Sequence, residues 1–250
     1  EYLFDVTIET AKASKNSRSV LDGYFLDMEM YGTENEPISK RQYSYDTCFC
    51  DFCFSTFLFS KGYSGSTLPP VRRERRKEWL SQRHYLEDYY AYLQTEVEKR
   101  AQELQESIHL VNPRLLLGVY PGLTDTNWVL QSVMRGFSRD SYPVISFSTD
   151  TYGYLSKPWG ADRIPADLPS YFEKYDINGI YVAGYLLRKY SASEIREHLI
   201  KSCQRSQGYW LFRMPQLFEK EISSEDALAG GSQTDYLRAI QSANAMIRTR

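Results

Sequence analysis

Two carboxylates near the start of the chain, Asp27 and Glu29, have the spacing of a catalytic pair. They belong to the segment GYFLDME, whose aromatic and aliphatic residues predict a β-strand over 23–29. Side chains alternate between the two faces of a strand, so Phe25, Asp27 and Glu29 share one face. Two like charges this close disfavour each other unless hydrogen bonds compensate, and one carboxyl group then tends to keep its proton. We predict Glu29 as a general acid and Asp27 as its partner. A structural carboxylate pair is the alternative.

A third carboxylate, Asp150, follows a predicted strand over 143–149. The later strand over 179–186 carries no carboxylate at its end, so Asp150 is the best placed second carboxylate for a double-displacement mechanism. Asp125 follows the strand over 114–120, where it either caps a helix or contacts a substrate.

Three cysteines lie within six residues in the sequence CFCDFC, at Cys48, Cys50 and Cys53. A tight loop with this spacing can present three thiolates to one tetrahedral ion, which predicts a structural zinc site. A disulfide or free thiols are the alternatives. The fourth cysteine, Cys203, lies in a predicted late helix and is expected to be a buried core thiol.

Aromatic residues are frequent, at 15% of the chain with 21 tyrosines, and several follow the predicted strands. Aromatic rings with a polar tip suit sugar recognition, because the apolar ring stacks and the tip forms hydrogen bonds. The predicted substrate-binding residues are Tyr31, Tyr120, Tyr152, Trp159, Tyr185 and Trp210. Ordinary loop packing is the other interpretation of these aromatic residues.

The elements that position these residues alternate between strands and helices, a pattern typical of βα units and a parallel sheet. The predicted strands are 23–29, 114–120, 143–149, 179–186 and 208–214. The predicted helices are 2–17, 72–108, 126–138, 166–174, 191–206 and 234–248. Ser191 and Glu194 have the spacing of a capping box at the start of one helix.

The predicted strands are mostly apolar, as the strands of a (β/α) barrel typically are. Five βα units, however, cannot close an eight-stranded barrel. We predict an α/β fold of the (β/α)8 TIM-barrel type, with the fourth to eighth units in one domain over residues 1–250. A missing N-terminal segment of the same protein is expected to supply three strands. An open doubly wound sheet is the alternative, but no glycine-rich phosphate loop follows any predicted strand.

The amino-acid composition and net charge indicate which classes of partner the chain is not expected to bind. The chain has 42% hydrophobic and 25% charged residues and a net charge of −2, and no apolar run approaches the roughly 18 residues of a membrane span. Neither a membrane nor a nucleic acid is expected as a partner. The basic run at 72–77 alternates with glutamate and is expected to be a solvated helix face. The sequence indicates neither an oligomeric state nor a cellular location.

The first strand resembles a motif of family 18 glycoside hydrolases, the chitinase and endo-N-acetylglucosaminidase barrels. The segment Asp22-Gly23-Tyr24-Phe25-Leu26-Asp27-Met28-Glu29 is similar to their Asp-Gly-x-Asp-x-Asp-x-Glu strand. The resemblance implies Glu29 as general acid and Asp27 as the residue that orients a substrate acetamido group. Phe25 stands where that family has an inner aspartate, so the proton shuttling of the family lacks one member here.

The cysteine segment resembles a second family, the family 42 β-galactosidases. Their Cys-x-Cys-x-x-Cys segment also follows the fourth-strand acid and precedes a long helix, as Cys48, Cys50 and Cys53 do here. This resemblance implies bound zinc with one further cysteine upstream, and again Glu29 as the acid. The nucleophilic glutamate of that family, on the seventh strand, has no counterpart in 179–188.

These observations predict a glycoside-hydrolase-like enzyme that acts on a polysaccharide or glycan and needs no organic cofactor. A barrel that binds carbohydrate without cleaving it is the first alternative, because the seventh-strand carboxylate is missing. A hydrolase or lyase acting on another substrate is the second, since a scaffold alone does not determine chemistry.

Overall fold

A computed structural model of the chain describes most residues. The described ranges are 2–16, 21–28, 48–120, 128–139, 142–153, 158–221, 223–224 and 227–248. Three residues singled out by the sequence, Glu29, Tyr31 and Asp125, lie outside these ranges.

Five parallel strands form one sheet, and their order in the sheet is their order in the sequence. The strands are β1 (Gly23–Asp27), β2 (Leu116–Tyr120), β3 (Val144–Ser148), β4 (Gly179–Leu186) and β5 (Gly208–Phe212). All five coincide with predicted strands and mostly end one or two residues earlier. Pairing runs from Gly23 opposite Leu116 to Leu186 opposite Phe212, so all carboxyl ends lie at one edge of the sheet.

The prediction of a (β/α)8 barrel is wrong for this chain, although the α/β class is confirmed. β1 pairs with β2 and β5 pairs with β4, and within the described residues no hydrogen bonding joins β5 to β1. A closed barrel requires that every strand has two neighbours. The structure is instead an open, five-stranded parallel half-barrel covered by helices, which is compatible with a partial barrel.

Helices follow the strands as predicted, with one break. The helices are α1 (Tyr2–Asn16), α2 (Asp51–Ser60), α3 (Arg76–Gln82), α4 (Leu86–Val111), α5 (Trp128–Phe137), α6 (Leu168–Lys174), α7 (Ala192–Arg205) and α8 (Gln233–Arg248). The single helix predicted over 72–108 is divided, because His84 adopts a φ of 57°, which interrupts the helical path between α3 and α4. The predicted capping box of Ser191 and Glu194 begins α7.

The two faces of the sheet have different environments. One face packs against the helices and forms the main hydrophobic core. Its strand residues alternate along the sequence and include Tyr24, Leu26, Leu117, Val119, Val144, Tyr181, Ala183, Tyr185, Tyr209 and Leu211. The residues between them, such as Phe25 and Trp210, lie on the opposite face, which we call the inner face.

A second, smaller hydrophobic cluster lies under α2, α3 and α4. It is rich in aromatic residues and contains Phe49, Phe54, Phe57, Leu58, Leu80, Tyr89 and Leu93. This cluster fixes the cysteine segment, which directly precedes α2, against the start of α4. Among the described helices, none has the length and apolar character that a membrane span requires.

Candidate functional site

The inner face of the sheet carries a continuous group of aromatic rings, which we call the aromatic floor: Phe25, Tyr120, Phe147, Trp210 and Phe212. Phe25 of β1 lies 5.0 Å from Phe147 of β3 between ring centroids. Trp210 of β5 lies 5.4 Å from Tyr120, 5.7 Å from Phe147 and 6.2 Å from Phe212. These separations fit edge-to-face and tilted aromatic contacts. Phe25 and Phe212 remain 51% and 40% exposed, so the floor is open to solvent.

Two glycines make room for the floor. A Cβ atom on Gly118 of β2 would lie 2.5 Å from the Phe147 ring, and one on Gly184 of β4 would lie 2.6 Å from the Trp210 indole. Both rings therefore lie across a neighbouring strand at a point where that strand has no side chain. The result is a continuous apolar surface in which the Trp210 ring lies nearly perpendicular to the rings of Tyr120 and Phe147, at 85° and 87°.

Trp210 is also fixed by a hydrogen bond. Its Nε1–H donates to the backbone carbonyl of Ser148 at 3.1 Å. Tyr152, in the turn after β3, packs its ring 5.6 Å from the indole. Three predicted binding residues, Tyr120, Tyr152 and Trp210, are thus brought together by the structure. Fixed aromatic rings of this kind suit contact with the C–H groups of sugars.

Asp27 lies at the carboxyl end of β1, on the same face as Phe25 and opposite Tyr120 in the register. It is exposed, whereas Leu26 and Met28 pack against the helix-side core. The alternation inferred from the sequence is therefore present over 24–28. Asp27 stands at the edge of the aromatic floor, where a carboxylate can reach a sugar hydroxyl.

Asp150 lies on the other side of the sheet. Asp150 is 6% exposed. Its Oδ2 accepts a hydrogen bond of 3.1 Å from the hydroxyl of Tyr181, a fully buried core residue. Burial raises the pKa of Tyr181, and the Asp150 carboxylate raises it further, so the phenol remains the donor. Among the described residues Asp150 therefore acts as a buried acceptor and does not join Asp27 on the inner face.

Tyr185 and Trp159 also lie away from the floor. Tyr185 is fully buried among the helices, and its hydroxyl shares a hydrogen bond of 2.5 Å with Ser202 of α7. Burial raises its pKa, so this hydroxyl stays protonated. Trp159 is 40% exposed, and the Arg163 guanidinium lies 5.0 Å from its ring centroid. The described contacts do not connect either residue to the aromatic floor.

Residues 160–161, in the loop between β3 and α6, are attached to α7 and to Tyr190, which precedes that helix. The backbone N–H of Gly160 donates to the Tyr190 hydroxyl at 2.9 Å, and the backbone N–H of Ala161 donates to His198 Nδ1 at 3.2 Å. Burial lowers the pKa of His198 and so favours the neutral ring, and the Ala161 N–H selects the tautomer in which Nδ1 accepts. These contacts fix the loop that carries Tyr152 beside Trp210.

The three predicted metal ligands converge. The Sγ atom of Cys48 lies 3.4 Å from that of Cys53 and 3.9 Å from that of Cys50, and all three lie within 4.8 Å of one another. Sulfurs bound at about 2.3 Å to one tetrahedral ion stand about 3.8 Å apart, so the observed spacing fits such an ion. No disulfide joins them. Within the described residues the cluster supplies three of the four ligands of a tetrahedral site.

Neighbouring side chains fix the cysteine loop. The Tyr89 hydroxyl donates to the backbone carbonyl of Cys48 at 2.5 Å, and Arg76 Nη1 donates to the carbonyl of Phe49 at 2.7 Å. Cys50 caps α2, and the backbone N–H of Cys53 that donates to its sulfur lowers the pKa of this thiol. The loop is thus shaped by contacts outside the cluster, as expected of a metal site with organised surroundings.

Sequence reasoning missed Phe147 and Phe212 as members of the floor. Period-two alternation could have identified them, because Phe147 shares a face with Ile145, and Phe212 shares one with Trp210. In a strand such as β4, where both faces are apolar, the sequence does not indicate which face packs against the helices. This ambiguity applies to Tyr185, a predicted substrate-binding residue that the structure places in the core on the helix side of β4.

No protein-family model matches the chain, and no curated protein matches its sequence. A solved structure of an exo-β-agarase is similar in fold, with a TM-score of 0.52 and 14% sequence identity. The similarity covers 99% of this chain and 38% of the agarase chain. At this identity the comparison shows that this chain shares its fold with part of the agarase chain, and it does not indicate family 42 in particular.

Proposed function

We propose that this chain forms the glycan-binding part of a glycoside-hydrolase-like enzyme, with the sugar chain lying on the aromatic floor. The observation that carries the proposal is the continuous aromatic surface made by Trp210, Tyr120 and Phe147, with Asp27 at its carboxyl edge. Active sites of related α/β folds lie at the carboxyl ends of parallel strands, where this surface also lies. The fold shared with an exo-β-agarase supports a polysaccharide as the substrate.

In this proposal Glu29 donates the proton to the leaving sugar. Glu29 lies outside the described residues, and its role rests on the sequence alone, in which it follows Asp27 by two residues. Asp27 accepts hydrogen bonds from the sugar next to the scissile bond. Trp210 and Tyr120 orient the sugar rings by stacking, which fixes the glycosidic oxygen relative to the acid.

We also propose that Cys48, Cys50 and Cys53 bind zinc as a structural ion. The sulfur spacing and the supporting contacts of Tyr89 and Arg76 suit this ion. A filled Zn²⁺ site stabilises the thiolate loop at the start of α2. Catalysis is not assigned to it, because Cys53 packs against the second hydrophobic cluster and not against the floor.

Carbohydrate binding without cleavage is the second candidate. It is favoured by the position of Asp150, which faces the helices, so that Asp27 is the one carboxylate among the described strand residues of the inner face. A double displacement needs two carboxylates beside the substrate. The two candidates therefore differ in whether the chain turns over a glycan that it binds.

Turnover of a panel of polysaccharides and aryl glycosides, including agarose, tests the proposal. Glu29→Gln should abolish hydrolysis and retain binding, because it removes the transferable proton but preserves shape. Asp27→Asn should be nearly as severe if Asp27 positions a substrate acetamido group and milder in a double displacement. Asp22→Asn, at the other end of β1, is the matched control. Binding without turnover in the parent protein supports the second candidate, and neither binding nor turnover overturns both.

A further inference from the structure

Helix α2 (Asp51–Ser60) presents two phenylalanines to solvent. Phe52 is 73% exposed and Phe59 is 50% exposed, whereas Phe54 and Phe57 of the same helix are buried. Leaving a phenylalanine side chain in water forgoes about 1.5–3 kcal/mol of burial free energy. Both rings belong to one short helix, so they form a local apolar surface.

The two rings lie on one line. Seven residues separate Phe52 from Phe59, which is two helical turns, so the rings share a face and stand about 10.5 Å apart along the axis. Ser55 and Thr56 lie between them, and both are partly exposed. The surface is therefore a narrow strip with an aromatic ring at each end and hydroxyl groups in the middle.

The side of α2 opposite the strip packs against the rest of the protein, which holds the strip in place. Phe57 and Phe54 on the opposite side of α2 pack into the second hydrophobic cluster, with Tyr89 5.1 Å from Phe57 and Trp79 5.7 Å from Phe54. The cysteine cluster fixes the first turn of the helix, at Cys50. A rigid aromatic surface loses little conformational entropy when a ligand binds.

The size of the strip selects the kind of partner. Two phenylalanine rings exposed to this degree offer roughly 250 Å² of apolar surface. A stable protein interface needs about 800 Å² from each partner, so the strip is too small for one. The distance between the rings is close to the length of two linked pyranose rings, so alternate sugars of an extended chain can stack on both.

We propose that α2 is a second glycan-binding surface, on which a polysaccharide chain stacks alternate sugar rings against Phe52 and Phe59. This inference rests on the proposed function, because it takes the same class of polymer as the aromatic floor. Its role is to hold the chain on an insoluble or long polymer, since a second contact on one chain raises the effective concentration at the first.

Binding to agarose beads and to soluble agaro-oligosaccharides tests this surface. Phe52→Ala, Phe59→Ala and the double variant should each weaken retention on the polymer at least fivefold, with unchanged affinity for a disaccharide or trisaccharide. Phe218→Ala, which removes another exposed phenylalanine (67% exposed) away from α2, is the matched control and should behave as the parent protein does.

A variant that moves one ring distinguishes an effect of ring spacing from nonspecific apolar adsorption to the polymer. Ser55→Phe combined with Phe59→Ala keeps two exposed rings on the same face but brings them to about 4.5 Å along the axis. Retention on the polymer should stay low if spacing matters. Recovery to the parent level would mean that any exposed apolar pair suffices, and would overturn the proposal.

The outcomes distinguish this surface from the floor. Loss of polymer binding in the Phe52 and Phe59 variants, with oligosaccharide binding intact, supports the second surface. Retention that depends on Trp210 and not on Phe52 or Phe59 overturns the second surface and preserves the proposed function. A parent protein that binds neither polymer nor oligosaccharide overturns both.

Discussion

Trp210 and Ser148 are joined by a hydrogen bond that crosses a strand. The indole Nε1 of Trp210, on β5, lies 3.1 Å from the backbone oxygen of Ser148, at the end of β3, and β4 runs between them. The ring can span this distance because Gly184 of β4 carries no side chain. The position of Trp210 in the aromatic floor therefore depends on three adjacent strands, β3, β4 and β5.

Gly184→Ala should disturb this arrangement. The new Cβ would lie 2.5 Å from the Ser148 oxygen and 2.6 Å from the Trp210 indole nitrogen, so one of them must move. We expect a loss of about 1–3 kcal/mol in the free energy of unfolding, measured by denaturant titration, together with weaker glycan binding. Gly208→Ala is the control, since its Cβ meets only an ordinary contact at 3.5 Å from Val182. Equal stability of the two variants would contradict this account of the floor.

Asp27 and Asp150 should respond in opposite ways to the same substitution. Asp150→Asn replaces a buried carboxylate that accepts from Tyr181, so unfolding free energy should fall by about 1–3 kcal/mol while turnover per folded molecule is unchanged. Asp27→Asn alters an exposed carboxylate, so stability should be preserved and turnover reduced. Thermal unfolding and kinetics on one glycan measure both. Reduced turnover in a well-folded Asp150→Asn protein would return Asp150 to the catalytic site.

The strands and most of the helices could be predicted from the sequence, because each is indicated by a local pattern of apolar residues. The sequence did not predict which face of β4 packs against the helices, nor which residues surround Asp150. Tyr181 and Tyr185 lie in a strand that is apolar on both sides, and only packing against the helices determines which side each ring occupies. The break at His84 depends on a local backbone conformation that helical periodicity does not reveal. Barrel closure was overpredicted, because apolar strands fit an open half-barrel equally well.

The cysteine cluster should bind one zinc ion per chain. Protein purified without chelator should contain zinc by elemental analysis, and Cys53→Ser should lower both the zinc content and the melting temperature, because a thiolate ligand of the ion is lost. Cys203→Ser, which changes a thiol in α7, should leave the zinc content unchanged. A parent protein free of zinc after purification in zinc-containing buffer would remove the proposed site.

His198 should make stability depend on pH. Its pKa in the folded protein is lowered from the ordinary value of 6.5, chiefly by burial, so the unfolded chain binds the proton first as pH falls. Stability from this group is therefore complete above about pH 6.5 and declines between pH 6.5 and the lower folded pKa. The neighbouring charges are Lys201, which lowers the pKa further, and Asp162, Glu194 and Glu197, which raise it.

His198→Gln keeps a side-chain acceptor for the Ala161 N–H but does not titrate. Melting temperatures from pH 7.5 to pH 5 should fall less steeply in this variant than in the parent protein. His84→Asn, at an exposed position that favours a left-handed backbone, is the control and should keep the parent slope. Parallel curves for the parent and His198→Gln would show that His198 does not contribute.

The central claim is that a glycan lies on the aromatic floor, and the indole N–H resonances of the four tryptophans test it directly. Each resonance is assigned with a single tryptophan-to-phenylalanine variant, and agaro-oligosaccharides are then added to ¹⁵N-labelled protein. Trp210 should shift progressively to saturation, while Trp79, which packs in the second hydrophobic cluster, should not move. Trp210→Ala should weaken binding at least tenfold, equivalent to about 1.4 kcal/mol. A saturating oligosaccharide that leaves the Trp210 resonance in place, or that binds the Trp210→Ala protein equally well, would contradict the account.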